Sequence, residues 1–448
     1  MHWPGAEETT MKSFLRGILL ALVVVASIVA WTMLPWPLLL ALAVLFGLWM
    51  QLTRAGRQAG SATSVGVSTL PQRIGSSSVV VVGIAGVVAV LVSLLAMGVG
   101  YSEALSNSGT SDTAIVMRDG SASEVSSVLE HSSIVAIAEA PGIARDAAGK
   151  PIASPELVVA ANLPLSDGSG DVGSVQLRGV GDQAWALRPD VKIVAGRKFR
   201  PGLRELVAGK GAQRQFAGLQ PGGQIKLGSQ VWTVTGIFSS GNAMDSELWG
   251  DGDVVASAYR RGSSRTSVFA RLTGANAFKG FKAALKGDPR LQVDVETTRD
   301  YFSKQSEQTT KAIKIIGIVV GVIMAIGAVF GALNTMFAAV AGRAREIATL
   351  RAIGFRGTPV VVAVMLETML LALLGGALGG LLAWLVFNGF AASTLAAGTT
   401  AQMSFQLHVT PALLWTGLKW ALAIGFIGGL FPAVRAARLP VTTALRES

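Results

Sequence analysis

"GRAREIATLRAIGFRG", Gly342 to Gly357, holds four arginines (Arg343, Arg345, Arg351, Arg356) and Glu346, and no proline interrupts it. An apolar run flanks it on each side, Ile313–Ala341 before and Pro359–Phe387 after. Each is long enough to cross a bilayer, which takes about 20 residues. A charged, helix-prone segment hung between two such runs points to an α-helical polytopic membrane protein. Within the segment Ile347, Leu350, Ile353 and Gly354 fall three or four apart, and the arginines lie mostly off that stripe. This spacing predicts a short amphipathic helix at a membrane surface. It either lies on anionic lipid or docks, aliphatic face inward, in a groove of a partner protein. The residue pattern leaves both open.

Working outward, six stretches read as spans: Phe14–Met33, Trp36–Leu52, Ser78–Val99, Ile313–Ala341, Pro359–Phe387 and Leu413–Phe431. Trp31, Trp36, Trp49, Trp384 and Trp415 sit near their ends, as interfacial anchors do. The first two form a hairpin across Pro35–Pro37. Lys12 and Arg16 precede the first span; Arg54, Arg57 and Arg73 lie between the second and third; the arginines of the opening stretch follow the fourth; Arg435, Arg438 and Arg446 follow the sixth. A six-span count puts all four clusters on one side, expected to be cytoplasmic, with both termini. Lys12–Ala30 also has the shape of a signal peptide, although Val29–Ala30 is a poor cleavage site.

Composition agrees with this layout. Of 448 residues, 51% are hydrophobic and 15% charged, and the net charge is +11. Residues 101–310 hold 23 basic and 22 acidic side chains, leaving 15 basic and 5 acidic for the apolar runs and their flanks. A nucleic-acid binder would concentrate its positive charge on the polar domain instead, so no nucleic-acid partner is expected. The expected divisions are an N-terminal hairpin (1–52), a basic cytoplasmic loop (53–77), a span (78–99), an outer domain (100–310), a long span (311–341), the charged segment (342–357), and two C-terminal spans with a short outer loop and a basic tail (358–448).

The outer domain reads as mixed α/β. "DTAIVM" and "SIVAIAE" are strand-like, with a short serine-capped helix expected in "SASEVSSVLEH" between them. "GGQIKLGSQVWTVTGIF" reads as a hairpin, Gln224–Leu227 and Gln230–Ile237 across a Gly-Ser turn. "SVFARL" and "QVDVET" add strands around a helix in "GANAFKGFKAALKG". "SDGSGDVGS" is a glycine-rich loop without the Lys-Ser/Thr ending of a phosphate loop.

Enzyme machinery is not evident. The chain has no cysteine, three scattered histidines (His2, His131, His408), no G-x-x-x-x-G-K-[ST], no G-x-S-x-G and no H-E-x-x-H. We therefore expect no catalytic residues, no metal site and no cofactor bound by this chain. The outer-domain carboxylates, scattered among equal numbers of bases, read as a solvated surface. Glycines recur four apart at Gly317/Gly321, Gly327/Gly331, Gly425/Gly429 and, interleaved in "GGALGG", at Gly375/Gly379 and Gly376/Gly380. The interleaved pairs predict a close helix crossing. Glu367 falls inside the fifth span, where a carboxylate needs a partner. It serves proton coupling, or it makes a structural bond to another span or to an arginine of the adjoining segment.

"GRAREIATLRAIGFRG" with "VVAVMLETMLLALLGGALGG", and the ending "GGLFPAVRAARLPVTTALRES", resemble the MacB/FtsX/LolC-type ABC transporter permeases. "RELVAGKGAQRQFAGLQPGGQIKLGSQVWTVTGIF" resembles that family's periplasmic core domain, and "LPQRIGSSSVVVVGIAGVV" the start of its first span. The resemblance covers roughly residues 69–448. It implies that the charged segment is a coupling helix seated on an ATP-binding subunit, with Arg343, Arg345, Glu346, Leu350, Arg351, Gly354 and Phe355 as contacts. It also implies a homodimer in the bacterial inner membrane, with ATP and Mg on the partner ATPase and a periplasmic adaptor protein as a further partner. The substrate would be handled outside the membrane, for export. Relay to an outer enzyme, as in FtsX, and lipoprotein extraction, as in LolC, are the alternatives. Two departures stand out: the sequence contains no fused ATPase, and it carries the extra hairpin Phe14–Leu52.

Overall fold

The computed structural model describes residues 30–31, 34–395 and 401–438. The expected first span, apart from Ala30 and Trp31, lies outside the described residues, as do Lys12, Arg16 and Arg446. Two compact units emerge. One comprises Met1–Ala96, Lys314–Asn388 and Val409–Ser448, the other Met97–Ile313 and Gly389–His408.

The first unit is helical. Its elements are α1 (Trp36–Leu52), α2 (Arg54–Ser68), α3 (Ile74–Ser106), α4 (Thr298–Gly342), α5 (Ala344–Ala352), α6 (Gly357–Phe387) and α7 (Pro411–Arg438), with the unit boundary falling inside α3 and α4. Among the described residues α3, α4, α6 and α7 are long and apolar enough to cross a membrane. A fifth joins them only if α1 and α2 count as one span, and the chain bends by 97° between those two. The expected separate span Trp36–Leu52 is helical over those 17 residues, a length of about 25 Å at 1.5 Å per residue. Val88 and Leu91 of α3, Ala325 of α4, Ala372 of α6 and Ile424 of α7 meet in one fully buried core. The outward faces stay apolar; Ile323, Leu381 and Leu385 are exposed, as lipid-facing positions are.

One reading of this unit is corrected. Residues 53–77 are not a loop: Arg54–Ser68 forms α2, capped by the Thr53 hydroxyl, which accepts from Gly56 N at 2.9 Å. Its glycines and serines suggest irregular chain by composition. Gly56, Ala59, Ala62 and Gly66 recur three or four apart and are buried; α2 packs on α6, where Gly66 faces Glu367, and on α1, where Gly56 faces Trp49 and Met50. Tertiary contact, rather than intrinsic propensity, holds the helix.

The second unit is built on one ten-stranded sheet. Its strands are β1 (Thr113–Arg118), β2 (Ala153–Pro164), β3 (Val172–Val180), β4 (Lys192–Gly196), β5 (Glu205–Gly209), β6 (Gln224–Leu227), β7 (Gln230–Ser239), β8 (Glu247–Asp251), β9 (Ser267–Arg271) and β10 (Val293–Thr297). The order is β10-β1-β9-β2-β3-β8-β5-β7-β4, with β6 on β7; β3–β8 and β5–β7 are parallel and the other pairs antiparallel. β2 is the hinge of this arrangement. Ala153–Glu156 pair with β9, and Leu157–Pro164 pair with β3. Two cores form on either side of the handover, one around Val116, Ile137 and Val268, the other around Leu177, Trp232 and Leu248.

The hairpin of β6 and β7 forms in the expected register, Leu227 opposite Gln230. "SIVAIAE" is not a strand but part of the helix His131–Ala138, which buries Ile134 and Ile137, three residues apart, and exposes Val135. A period of three rather than two decides it. The serine-opened segment before it contributes only a 3-10 turn, Glu124–Ser126, with a Ser123–Ser126 capping box. The expected short loop at 388–411 contains a hairpin, β11 (Ala391–Leu395) paired with β12 (Gln402–Gln406).

Candidate functional site

α5 is set between two breaks. Arg343, with φ −113° and ψ 11°, ends the continuity with α4 and caps α5. At the other end Gly354 N–H donates to Arg351 O at 3.1 Å and Phe355 N–H to Leu350 O at 3.0 Å, around a Gly354 φ of +104°. This is a Schellman closure, and only glycine takes that backbone angle without strain. Glu346 in the first turn and Arg351 in the last complement the helix dipole.

The two faces of α5 differ. Ile347 and Ala348 are buried, Leu350 is half-buried, and Arg345, Glu346, Thr349 and Ala352 are exposed. Ile347 and Leu350 line a cavity of about 310 Å³ together with Val65 of α2 and Val360 and Val364 of α6. The aliphatic stripe is therefore turned towards this chain's own helices, against the expectation that it would face a partner's groove. Its outer end, Ile353, is 70% exposed.

Beneath α5 lies a buried polar cluster. Arg343 Nη1 donates to Glu367 Oε2 at 2.7 Å, and both side chains are nearly inaccessible, at 12% and 5% exposure. Arg343 Nη2 donates to Thr69 Oγ1 at 2.7 Å, and Arg73 Nη2 donates to the same hydroxyl at 2.8 Å. Thr69 in turn donates to Gly66 O at 2.9 Å. Arg343 Nε lies 3.4 Å from Glu346 Oε2. A Cβ added to Gly66 would stand 3.2 Å from Glu367 Oε2 and 3.4 Å from Arg343 Nη2, so the missing side chain makes room for the pair. Arg343, expected among the outward contacts, is thus turned inward. The partner of Glu367 is an arginine from the adjoining segment, one of the options open from sequence.

The same end of the unit gathers the C-terminal arginines. Arg435 lies over the Phe337 ring at 5.5 Å, and a Cβ at Gly357 would meet Ala437 Cβ at 3.5 Å.

In the second unit the carboxylates are not all solvated, which corrects the sequence reading. Arg178 of β3 is 1% exposed and is held by Glu124 (Nη1–Oε1, 2.8 Å), Glu156 (Nη1–Oε2, 2.9 Å) and Glu247 (Nε–Oε2, 2.8 Å). Arg188 adds a bond of 2.6 Å to Glu156, Ser267 one of 2.7 Å to Glu124, and the Trp249 indole N–H one of 2.7 Å to Glu247. Burial alone would raise the Glu156 carboxyl, but Arg188 and Arg178 overcome it and hold it below the ordinary carboxylate range. Burial likewise opposes the charge of Arg178, and Glu124 and Glu247 hold it well above its ordinary value. Glu156 is the last β2 residue paired with β9, so the cluster sits where β2 changes partner. Its only sequence signal is a set of lone charges at the edge of apolar strands, in "SPELVV", "QLRGV" and "SELWG".

Residues 77–287 match the sequence model of the MacB-like periplasmic core domain, and residues 318–441 that of the FtsX-like permease C-terminal domain. The chain belongs to the MacB/FtsX family of ABC permeases. The macrolide export ATP-binding/permease protein MacB of Shewanella sp. (strain ANA-3) is 33% identical over 159 residues, covering 35% of this chain and 22% of its own length. MacB of Bordetella avium (strain 197N) is 27% identical over 315 residues, covering 66% of this chain and 46% of its own. The permease thus spans less than half the length of either relative. The crystal structure of the periplasmic region of MacB from Actinobacillus actinomycetemcomitans aligns with a TM-score of 0.32 and 15% identity, covering 45% of this chain and 92% of that one.

In the permease the interleaved glycine pairs serve two neighbours. A Cβ at Gly375 or Gly379 would strike α3, at 2.8 Å from Val81 O and 2.4 Å from Ala85 O. At Gly376 and Gly380 it would meet α7, at 2.7 Å from Ala421 Cβ and 3.3 Å from Leu414 Cδ2. Gly327 and Gly331 have nothing within 4 Å among the described residues.

Proposed function

We propose that this chain is the membrane subunit of a bacterial ABC transporter, working as a homodimer with a separate ATPase subunit. It spans the inner membrane six times, counting Phe14–Met33 and Trp36–Leu52, with both termini and the basic clusters in the cytoplasm. ATP and Mg are bound by the partner, and this chain does no catalysis. Closure of the ATPases moves α5, and the motion passes through α3 and α4 to the mixed α/β domain outside, which acts on the substrate there. A periplasmic adaptor protein completes the assembly. The relatives' names, macrolide export ATP-binding/permease protein, favour export as the outcome.

The observation that carries this reading is the polarity of α5. Ile347 is buried against its own protein and Leu350 half-buried, while Arg345, Glu346 and Thr349 are exposed, with Ile353 at the end. A helix held by lipid would keep its apolar face free, and each basic residue near anionic headgroups contributes roughly 1 kcal/mol. An acid in the middle gains nothing from the headgroups; Glu346, 3.4 Å from Arg343 in its own chain, stays 58% exposed and open to a cation in a protein groove. The test is Glu346→Arg. The variant should still fold in the membrane but recover less of the ATPase in a pull-down and lose ATP-driven transport. Equal recovery and equal transport would reject the reading, and a lipid-bound helix would be neutral to the change or slightly favoured by it.

A further inference from the structure

The cluster under α5 ties together four elements of the helical unit. Arg343 stands at the break between α4 and α5, Glu367 inside α6, and Thr69 and Arg73 at the entry to α3, with Gly66 of α2 as the floor. A membrane helix tolerates a carboxylate only when it is paired or wetted, and here the pair is closed. The Thr69 hydroxyl accepts two bonds and donates one, so its capacity is full.

We infer that Arg343 is the pivot of coupling and that Glu367 and Thr69 are its bearing: positioning residues that make α3 and α6 follow α5. This rests on the transporter reading and adds to it the path by which a push on α5 leaves that helix. The geometry has the required form. The helix axis breaks at Arg343 itself, so α5 can tilt without bending α4. The guanidinium grips α6 and the entry to α3 from that same residue, so tilting α5 pulls on both. The contact passes on through Gly375 and Gly379, whose backbone lies directly on α3 and leaves no slack. A hydrophobic contact at this place would slide; a two-armed, charge-assisted bond keeps its register.

The test uses the full-length permease with its ATPase subunit and three variants: Glu367→Gln, Thr69→Val, and the exchange Arg343→Glu with Glu367→Arg. Glu367→Gln should leave ATPase recovery unchanged while transport per ATP hydrolysed falls about ten-fold, the scale of changes along a coupling path. Thr69→Val, which removes one arm only, should lose less. The exchange should restore most of the coupling, which a purely stabilising role would not require. The second readout needs no ATPase. A spin label on Thr349→Cys, clean because the chain has no cysteine, should become more mobile in Glu367→Gln and return to its original mobility in the exchanged pair. Unchanged coupling, or unchanged label mobility, in Glu367→Gln overturns the pivot. If the unaltered permease recovers no ATPase, the transporter reading falls, and the spin label still decides whether Arg343 and Glu367 hold α5.

Discussion

The two units bury the same chemistry for different ends. In the outer domain Arg178 of β3 is surrounded by Glu156 and Glu247 of its neighbouring strands β2 and β8 and by Glu124 of the 3-10 turn. In the helical unit Arg343 has a single buried carboxylate, Glu367, and stands where one helix stops and another begins. A guanidinium held by three carboxylates inside a sheet fixes one arrangement. A guanidinium at a helix break, held by one buried carboxylate and one hydroxyl with the exposed Glu346 at its rim, fixes a contact while leaving the backbone a degree of freedom. Burial costs both charges their hydration, so neither cluster is retained for cheap stability. The first locks the change of partner along β2; the second is suited to transmit movement.

The largest effect is expected at Arg178. Replacing it with Met leaves Glu124 and Glu247 buried without their cation, and breaking a buried pair from one side costs about 3–5 kcal/mol. Thermal unfolding or limited proteolysis of the outer domain should show the loss directly, whereas Glu367→Gln should leave that domain's transition where it was. If the two substitutions cost the outer domain equally, the division of roles is wrong.

A smaller effect sharpens the account of the helical unit. Gly379→Ala would place a methyl 2.4 Å from Ala85 O, a backbone atom that cannot move aside. Overpacking of this kind costs about 1–3 kcal/mol. Gly327→Ala meets nothing and should be neutral or stabilising by up to about 1 kcal/mol, the helix preference of alanine over glycine. Melting of the detergent-solubilised permease separates them, and equal melting temperatures would return both glycines to composition.

The smallest effect belongs to a surface pair in the outer domain, the exposed Arg197 with the half-buried Glu205. Arg197 bonds both oxygens of Glu205 at 2.7 Å, and this bond holds the carboxyl down at about 2 from an ordinary 4.5. The folded value is depressed, so the pair's contribution is complete above the unfolded value and disappears as pH falls through about 2. Surface pairs contribute only about 0.2–1 kcal/mol, so Arg197→Gln should raise the Glu205 titration, which Arg200 N–H still holds down in part, with little change in melting. A large loss of stability would show that the edge of the sheet depends on charge more than its exposure suggests.

How much of this was legible in the sequence depends on what kind of signal each residue gives. The long apolar helices announce themselves by length, and α6 begins within two residues of the expected Pro359. The β6–β7 hairpin follows from alternation across Gly228–Ser229. Short segments whose partners are remote in sequence were not legible. Ile134 and Ile137 fit a strand or a helix until something covers them, and the small-residue helix α2 is held by packing on α1 and α6. At the candidate site the segment and its charges were plain, but its orientation was not. Nothing local says that Ile347 faces inward, or that Arg343 and Arg345, two residues apart, point to different surroundings. Arg178 was invisible for the same reason: its three carboxylates come from positions 124, 156 and 247.

The central claim is that the outward face of α5 belongs to an ATPase. A photo-crosslinking residue at position 353, where Ile353 is 70% exposed, tests it most directly when compared with one at position 347, where Ile347 is 7% exposed. In native membranes the account predicts a protein adduct containing the ATP-binding subunit from position 353 and none from position 347. Lipid adducts alone from position 353, or the same ATPase adduct from position 347, would contradict it.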